Sequence, residues 1–180
     1  MNIEGLKKNF EKRANEDNAI QMAKYLRNQF VFYGLKSPVR RDAYHQILKD
    51  EKKKKQIDWD LLDQAWNDKH REMQYFVCDY LLAMEKYVSY DDLFKIEHYV
   101  RTKQWWDTID SLMKLYGYVG LKDQRVDQLM LDWSKDPDKW VRRVAIEHQL
   151  LRKDRIYLVK SLKIILKVTN FSLIKQLVGH

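Results

Sequence analysis

Residues 72–82 read Glu-Met-Gln-Tyr-Phe-Val-Cys-Asp-Tyr-Leu-Leu, and a similar pattern returns further along the chain. The stretch can be laid over residues 141–151, with residues 106–116 midway between the two. A fourth copy, residues 170–180, fits less well. The first three copies are 34 and 35 residues apart at their equivalent positions, which are Tyr75, Ile109 and Val144. A period of this length carried by helices is typical of a solenoid, in which helix pairs bury their apolar faces against neighbours.

The apolar spacing inside the first copy indicates a helix rather than a strand. From Met73 to Met84, apolar residues recur at i, i+3, i+4, i+7, i+8 and i+11, which is one stripe of a helix. Five Gly and two Pro are too few for the many turns of a β-sandwich. Tetratricopeptide repeats share the period, but their Trp-x2-Leu-Gly signature is absent. We therefore predict an all-α chain, a curved α-solenoid of HEAT-like repeats with about ten to twelve helices in one domain, residues 1–180.

Several residues of the sequence also predict where helices begin and end. Gly34, Ser37 and Pro38 predict a helix start, with Ser37 as the N-cap and Pro38 at the first helical position. Asp136-Pro137-Asp138 predicts a second boundary of the same kind. The lysine run 52–55 ends the helix that begins at Pro38, where cations are favourable; the alternative is a phosphate contact.

Positive charge is concentrated towards the C-terminus. The net charge is +8 and the pI about 9.4, and residues 138–180 hold ten Lys or Arg against three acidic residues. Such a distribution fits an anionic partner such as nucleic acid, and it also fits a solvated basic surface.

Composition excludes several other classes of site. Cys78 is the single cysteine, so an internal disulfide or a cysteine metal cluster is excluded. The histidines are scattered, which argues against a zinc site, and a Gly-rich phosphate loop is absent. The N-terminus lacks a signal-like apolar run, and no segment is long enough to span a bilayer. We expect a soluble, cytoplasmic protein without a metal or an organic cofactor.

The stretch Gln-Trp-Trp-Asp-Thr-Ile-Asp at 104–110 is the best candidate for chemistry. Adjacent tryptophans on a helix point about 100° apart, so one should enter the core while the other lies nearer a rim. Trp106 and Asp110 are four residues apart and therefore share a face. An aromatic ring beside a carboxylate can hold a ligand or act in catalysis. The alternative is that Asp110 pairs with Lys114 on an exposed surface.

A second candidate is the stretch Trp-Val-Arg-Arg-Val-Ala-Ile at 140–146. The repeat register places Arg143 one position from the level of Ile109, close to the surface that carries Trp106 and Asp110. An arginine there could bind a phosphate in a bidentate way; the alternative is an arginine that merely covers a helix rim.

Four motifs together resemble the AlkD family of DNA glycosylases. They are Tyr-Leu-Arg-Asn-Gln-Phe at 25–30, the stretch from Tyr33 to Arg41, Trp-Trp-Asp-Thr-Ile-Asp at 105–110, and Trp-x-Arg-Arg-x-Ala-Ile at 140–146. They occur in the family's order at compatible spacing, and they cover about residues 20–180. The resemblance implies a HEAT-like solenoid that removes cationic N3- and N7-alkylated purines from duplex DNA without flipping the base and without a cofactor.

The resemblance also implies roles for individual residues. Asp110 matches the catalytic carboxylate, and Trp106 matches the aromatic side chain that contacts the lesion. Arg143 matches an arginine that binds the DNA backbone. Tyr25 matches a further aromatic residue that faces DNA. The candidate phosphate contacts are Ser37, Arg40, Arg41, Arg142 and Lys175.

The chain departs from the family at its C-terminal end. The family's Lys-x-x-Gly-Trp pattern is here Lys175-Gln-Leu-Val-Gly-His180, so His180 stands where a nucleotide-contacting tryptophan is expected. We expect that the family's last helices are missing and that the apolar stretch 171–178 is exposed, or is covered by association of an otherwise monomeric protein. The alternatives to a glycosylase are a catalytically silent DNA-binding relative and a HEAT-like protein-interaction scaffold.

Overall fold

The structure is a computed structural model that describes residues 3–151. Over this range the chain forms nine α-helices, two 3-10 helices and no strand, with one isolated β-bridge between Val31 and His70. The all-α prediction is therefore confirmed for the described residues. No helix in that range is both long enough and apolar enough to cross a lipid bilayer.

The chain divides into two compact units, Met1–Tyr87 and Val88–His180, which we call the N-terminal and the C-terminal unit. The single domain predicted for residues 1–180 remains a prediction. The described helices of the N-terminal unit are α1 (Ile3–Glu11), α2 (Glu16–Tyr25), α3 (Ser37–Lys54), α4 (Trp59–Asn67) and α5 (Arg71–Ala83), followed by a 3-10 helix (Glu85–Tyr87). Those of the C-terminal unit are α6 (Leu93–Arg101), α7 (Trp106–Gly120), α8 (Arg125–Trp133), α9 (Lys139–Glu147) and a 3-10 helix (His148–Leu151).

The first two repeat copies quoted from the sequence fall on α5 and α7, and the third spans α9 and the 3-10 helix that follows it. Each copy contributes buried apolar positions, such as Phe76, Ile109 and Val144, all fully shielded from solvent. The repeat pattern therefore predicted helical segments with buried apolar positions. The fourth copy, residues 170–180, lies outside the described residues.

The start of α3 differs by one residue from the prediction. The N-cap is Lys36, whose backbone is extended at φ −60° and ψ 152°, and Ser37 is already helical. The reason lies just upstream, where Glu72 accepts hydrogen bonds from the backbone of residues 33–35 and fixes the path of the chain into the helix. The end of α3 agrees with the sequence: the last residue is Lys54, and Lys55 is left-handed at φ 57°.

Gly34 is required where this loop passes α2. Its φ of +86° lies in the region that favours glycine, and a Cβ there would lie 1.9 Å from the carbonyl oxygen of Asn15. The same approach lets the Asn15 amide donate to the Tyr33 carbonyl at 2.9 Å. The loop between α2 and α3 is thereby pinned to the N-terminus of α2.

Candidate functional site

The two adjacent tryptophans lie in different environments at the start of α7, but Trp105 precedes the helix as its N-cap and does not enter the core as predicted. Trp105 is half-buried and packs against the ring of Trp140, with 5.8 Å between the ring centroids. Trp106 begins the helix and remains 40% exposed. Asp110 follows one turn later on the same face. The exposed indole and the carboxylate are therefore neighbours.

Asp110 forms an ion pair with Arg143, which lies 33 residues further on in the sequence. Arg143 Nε donates to Asp110 Oδ1 at 2.9 Å, and Arg143 Nη1 lies 3.2 Å from Glu147 Oε1. Helix α9 packs against α7 through Val141, Val144 and Ala145, which are buried, and Arg143 and Glu147 remain partly exposed. The proximity of Arg143 to Asp110 expected from the repeat register is thus present in the structure.

The three side chains form a partly buried cluster with net negative charge, which we call the acidic cluster: Asp110, Arg143 and Glu147. Their exposed side-chain fractions are 36%, 22% and 22%. Burial raises the pKa of Glu147, and the charge of Asp110 adds to this while Arg143 opposes it. Among the described residues, no ion pair joins Asp110 to Lys114, the alternative partner that the sequence offers.

Arg142 occupies a different environment from its neighbour. Its Nη1 donates to the carbonyl oxygens of Asp136 and Pro137 at 2.6 and 2.8 Å, which ties the guanidinium to the loop before α9. This loop is the boundary predicted from Asp136-Pro137-Asp138, since α8 ends at Trp133 and α9 begins at Lys139. Carbonyl oxygens do not neutralise the charge, so Arg142 keeps its positive charge next to the start of α9.

Asp136 links this loop to α6, and we expect its carboxylate to stabilise the C-terminal unit. Arg101 donates to it at 2.8 Å, as does the Asp138 amide. The Arg101 hydrogen bond is the largest cause of a lowered Asp136 pKa. Because that pKa is lower in the folded state, the stabilisation is complete above about pH 4, the unfolded value, and is lost as the folded carboxylate protonates.

Asp136→Asn should therefore lower the free energy of unfolding by about 1–2 kcal/mol at pH 7, with a difference that shrinks in acid. Urea unfolding of the wild type and the variant, at pH 7 and in acid, measures this difference. Asp91→Asn is the control, because the Asp91 side chain is 86% exposed. An equal loss at pH 7 and in acid would contradict the assignment.

The N-terminal unit holds four more of the predicted DNA contacts, namely Tyr25, Ser37, Arg40 and Arg41. Tyr25 is the last residue of α2 and is largely exposed. It lies at a pocket of about 200 Å³. The other residues that line this pocket are Asn18, Gln21, Met22, Leu26, Phe32, Lys36 and Tyr75. Ser37 is exposed at the start of α3, about one helical turn before Arg40 and Arg41.

Arg40 does not fit its predicted role as a phosphate contact. It is only 7% exposed, and its donors reach the Tyr44 hydroxyl at 3.2 Å and the Asp79 carboxylate at 3.5 Å. Its guanidinium also stacks over the Tyr75 ring at 4.5 Å. The sequence prediction fails here because a buried arginine is satisfied inside the protein. Arg41 is mostly exposed and lies 3.3 Å from the same Asp79 carboxylate, so it stays a candidate.

Sequence reasoning missed two carboxylates, Glu147 and Glu72. The signal for Glu147 was its position four residues after Arg143 on one helix. Glu72 had no local signal, because its partners lie 37 to 39 residues away in the chain. The predicted contacts Lys175 and His180 lie outside the described residues. Within residues 3–151, no three His, Cys, Asp or Glu side chains are grouped to hold a metal ion.

Together these features define an all-helical repeat protein with an exposed indole beside an acidic cluster. The family model for DNA alkylation repair enzyme matches residues 6–176, and the chain belongs to this family. A solved structure described as a predicted DNA alkylation repair enzyme from Enterococcus faecalis is similar to the chain. The TM-score is 0.73 at 25% identity, over 89% of this chain and 78% of that one. No curated protein gave a significant match. The chain is therefore a DNA repair protein with DNA as its partner.

Proposed function

We propose that this protein is a DNA glycosylase that hydrolyses the N-glycosidic bond of cationic N3- and N7-alkylated purines in duplex DNA. The observation that carries the proposal is the acidic cluster: two carboxylates and one arginine beside the exposed Trp106, in a chain whose net charge is +8. A local excess of negative charge favours a cationic nucleotide, while the basic remainder of the chain favours the DNA backbone.

Hydrolysis of this bond needs no strong general acid. The alkylated purine already carries a positive charge, so when its bond to C1′ breaks, the electron pair neutralises the departing base. Positive charge then develops on the deoxyribose. The Asp110 carboxylate stabilises that oxocarbenium-like state and orients a water, whose oxygen bonds to C1′ while one of its protons is released to bulk water. The products are a neutral alkylpurine and an abasic deoxyribose.

The exposed indole supplies the second part of recognition. An electron-rich ring face attracts a cationic nucleotide by about 0.5–2 kcal/mol, depending on how far water is excluded. Basic side chains of the same unit, such as Arg142, would hold phosphates and fix the duplex against this face. In this proposal the lesion stays in or near the base stack, so no enclosed pocket for a flipped base is needed.

The test is base release by the wild-type protein from duplex DNA methylated to contain 7-methylguanine and 3-methyladenine. We expect free alkylpurine and abasic sites, together with duplex binding that weakens steeply as salt rises. Asp110→Asn purified in parallel detects contaminating host glycosylase. A folded wild type that binds the duplex but releases no base would contradict the proposal.

A second candidate is a DNA-binding relative without excision activity. It is favoured by the ion pair that partly neutralises Asp110 and by His180, which stands where the family has a tryptophan. This candidate predicts salt-sensitive duplex binding and no released base. A protein-interaction scaffold predicts neither. The same two measurements therefore separate all three functions.

A further inference from the structure

We propose that Glu147 is a positioning residue for base excision: it holds one end of the Arg143 guanidinium so that Arg143 cannot neutralise Asp110 fully. The inference rests on the proposed function and concerns how its central carboxylate stays active. Neither the sequence motifs nor the family assignment gives Glu147 a role.

The contacts of Arg143 point in two directions. The guanidinium meets Asp110 through Nε, at 2.9 Å from Oδ1, and meets Glu147 through Nη1, at 3.2 Å from Oε1. Asp110 therefore binds the arginine through one oxygen, and its Oδ2 makes no hydrogen bond with any residue in the described part of the chain. That oxygen keeps its lone pairs for a developing positive charge or a water.

The alternative arrangement would weaken the carboxylate. Arginine prefers a planar fork of two parallel hydrogen bonds to one carboxylate, which is the strong form of the pair. Without a second acceptor at Nη1, the Arg143 side chain would be free to rotate into that fork with Asp110. Both Asp110 oxygens would then be occupied by donors. Glu147 opposes this rotation because it holds Nη1 from a position four residues away on the same helix.

Glu147 also sets the sign of the local charge. With it, the acidic cluster has two negative charges and one positive charge; without it, the cluster is neutral. The position is unfavourable for a carboxylate, since burial and the nearby Asp110 both raise the pKa of Glu147. An unfavourable charge kept beside a reactive group is the pattern found at functional sites. The side chain does not need to touch DNA to act in this way.

The test compares single-turnover base release and duplex affinity for the wild type, Glu147→Gln and Glu147→Ala. We expect the maximal rate to fall about 10-fold in Glu147→Gln and further in Glu147→Ala, while duplex affinity stays the same or rises about 2- to 5-fold because a negative charge is removed. A purely structural residue would lower both quantities together with the folded fraction, which circular dichroism and thermal unfolding monitor.

Glu97→Gln is a matched control in the same unit. Glu97 pairs at i+4 with Arg101, which also binds a carboxylate on another segment, Asp136. Arg101 therefore bridges two carboxylates, as Arg143 does, but Asp110 is not one of them. We expect Glu97→Gln to leave the release rate within about 2-fold of the wild type.

A double-mutant cycle tests whether Glu147 acts through Arg143. If it does, Glu147→Gln should cost almost nothing further in an Arg143→Ala background. An active wild type with a full rate in Glu147→Gln, or an equal loss in Glu97→Gln, would overturn this proposal alone. Equal losses from Glu147→Gln with and without Arg143 would do the same. A wild type that releases no base would overturn both this proposal and the proposed function.

Discussion

Asp110→Asn is expected to slow 7-methylguanine release by about 100- to 1000-fold, the usual cost of removing one preorganised electrostatic partner. Asparagine keeps the size of the side chain and an oxygen that can accept from Arg143 Nε, so the packing of α7 against α9 is retained. The change removes the negative charge that opposes the cation on deoxyribose. Single-turnover rates with enzyme in excess measure the effect on chemistry apart from binding.

Asp107→Asn is the matched control for this variant. Asp107 lies in the first turn of the same helix, and its carboxylate accepts from the Thr108 amide at 3.0 Å. Its loss should cost some helix stability and leave the release rate within about 3-fold of the wild type. A release rate for Asp110→Asn within about 10-fold of the wild type would contradict the assignment of Asp110 as the charge-stabilising group.

Glu72→Ala is expected to lower the free energy of unfolding of the N-terminal unit by about 3–5 kcal/mol. The Glu72 carboxylate is fully buried and accepts from the backbone amides of Tyr33, Gly34 and Leu35 at 3.0, 2.8 and 3.1 Å. Alanine would leave three buried donors without an acceptor. Unfolding in urea measures the loss, and faster hydrogen exchange at these three amides locates it.

The control for Glu72 is an exposed glutamate of the same unit. Glu4 lies in the first turn of α1, with a carboxylate 3.9 Å from Lys7 Nζ. Glu4→Ala should change stability by no more than about 0.5 kcal/mol. If Glu72→Ala costs less than about 1 kcal/mol, or if exchange at the loop amides is unchanged, the structural role of Glu72 is wrong.

Local periodicity predicted the part of the fold that depends on neighbouring residues. The apolar stripes of α5, α7 and α9 are visible in the sequence because residues three and four apart share a helix face. The same register predicted that Arg143 lies close to the surface that carries Asp110. Helix ends depend on more distant contacts. Helix α3 starts one residue earlier than predicted because the Glu72 carboxylate holds the preceding loop.

Contacts between residues far apart in the chain explain what the sequence did not reveal. Arg40 looks identical to Arg41 in sequence, yet only the structure shows that it is buried against Tyr44, Asp79 and Tyr75. The spacing of Arg143 and Glu147 was visible, whereas the simultaneous contact of Arg143 with Asp110 was a matter of tertiary packing. Residue type and spacing therefore predict which charged side chains are candidates for ligand binding. Their burial in the folded chain determines which of them can reach a ligand.

The most direct test of the central claim measures affinity for a cation at the position of the reacting sugar. Two duplexes are compared, one with a pyrrolidine that carries positive charge in place of the deoxyribose, and one with the neutral tetrahydrofuran analogue. Because an enzyme binds its transition state more tightly than its substrate, the wild type should bind the charged duplex at least about 100-fold more tightly. Asp110→Asn should lose most of that preference. Equal affinity of the wild type for the two duplexes would contradict a carboxylate that stabilises developing positive charge.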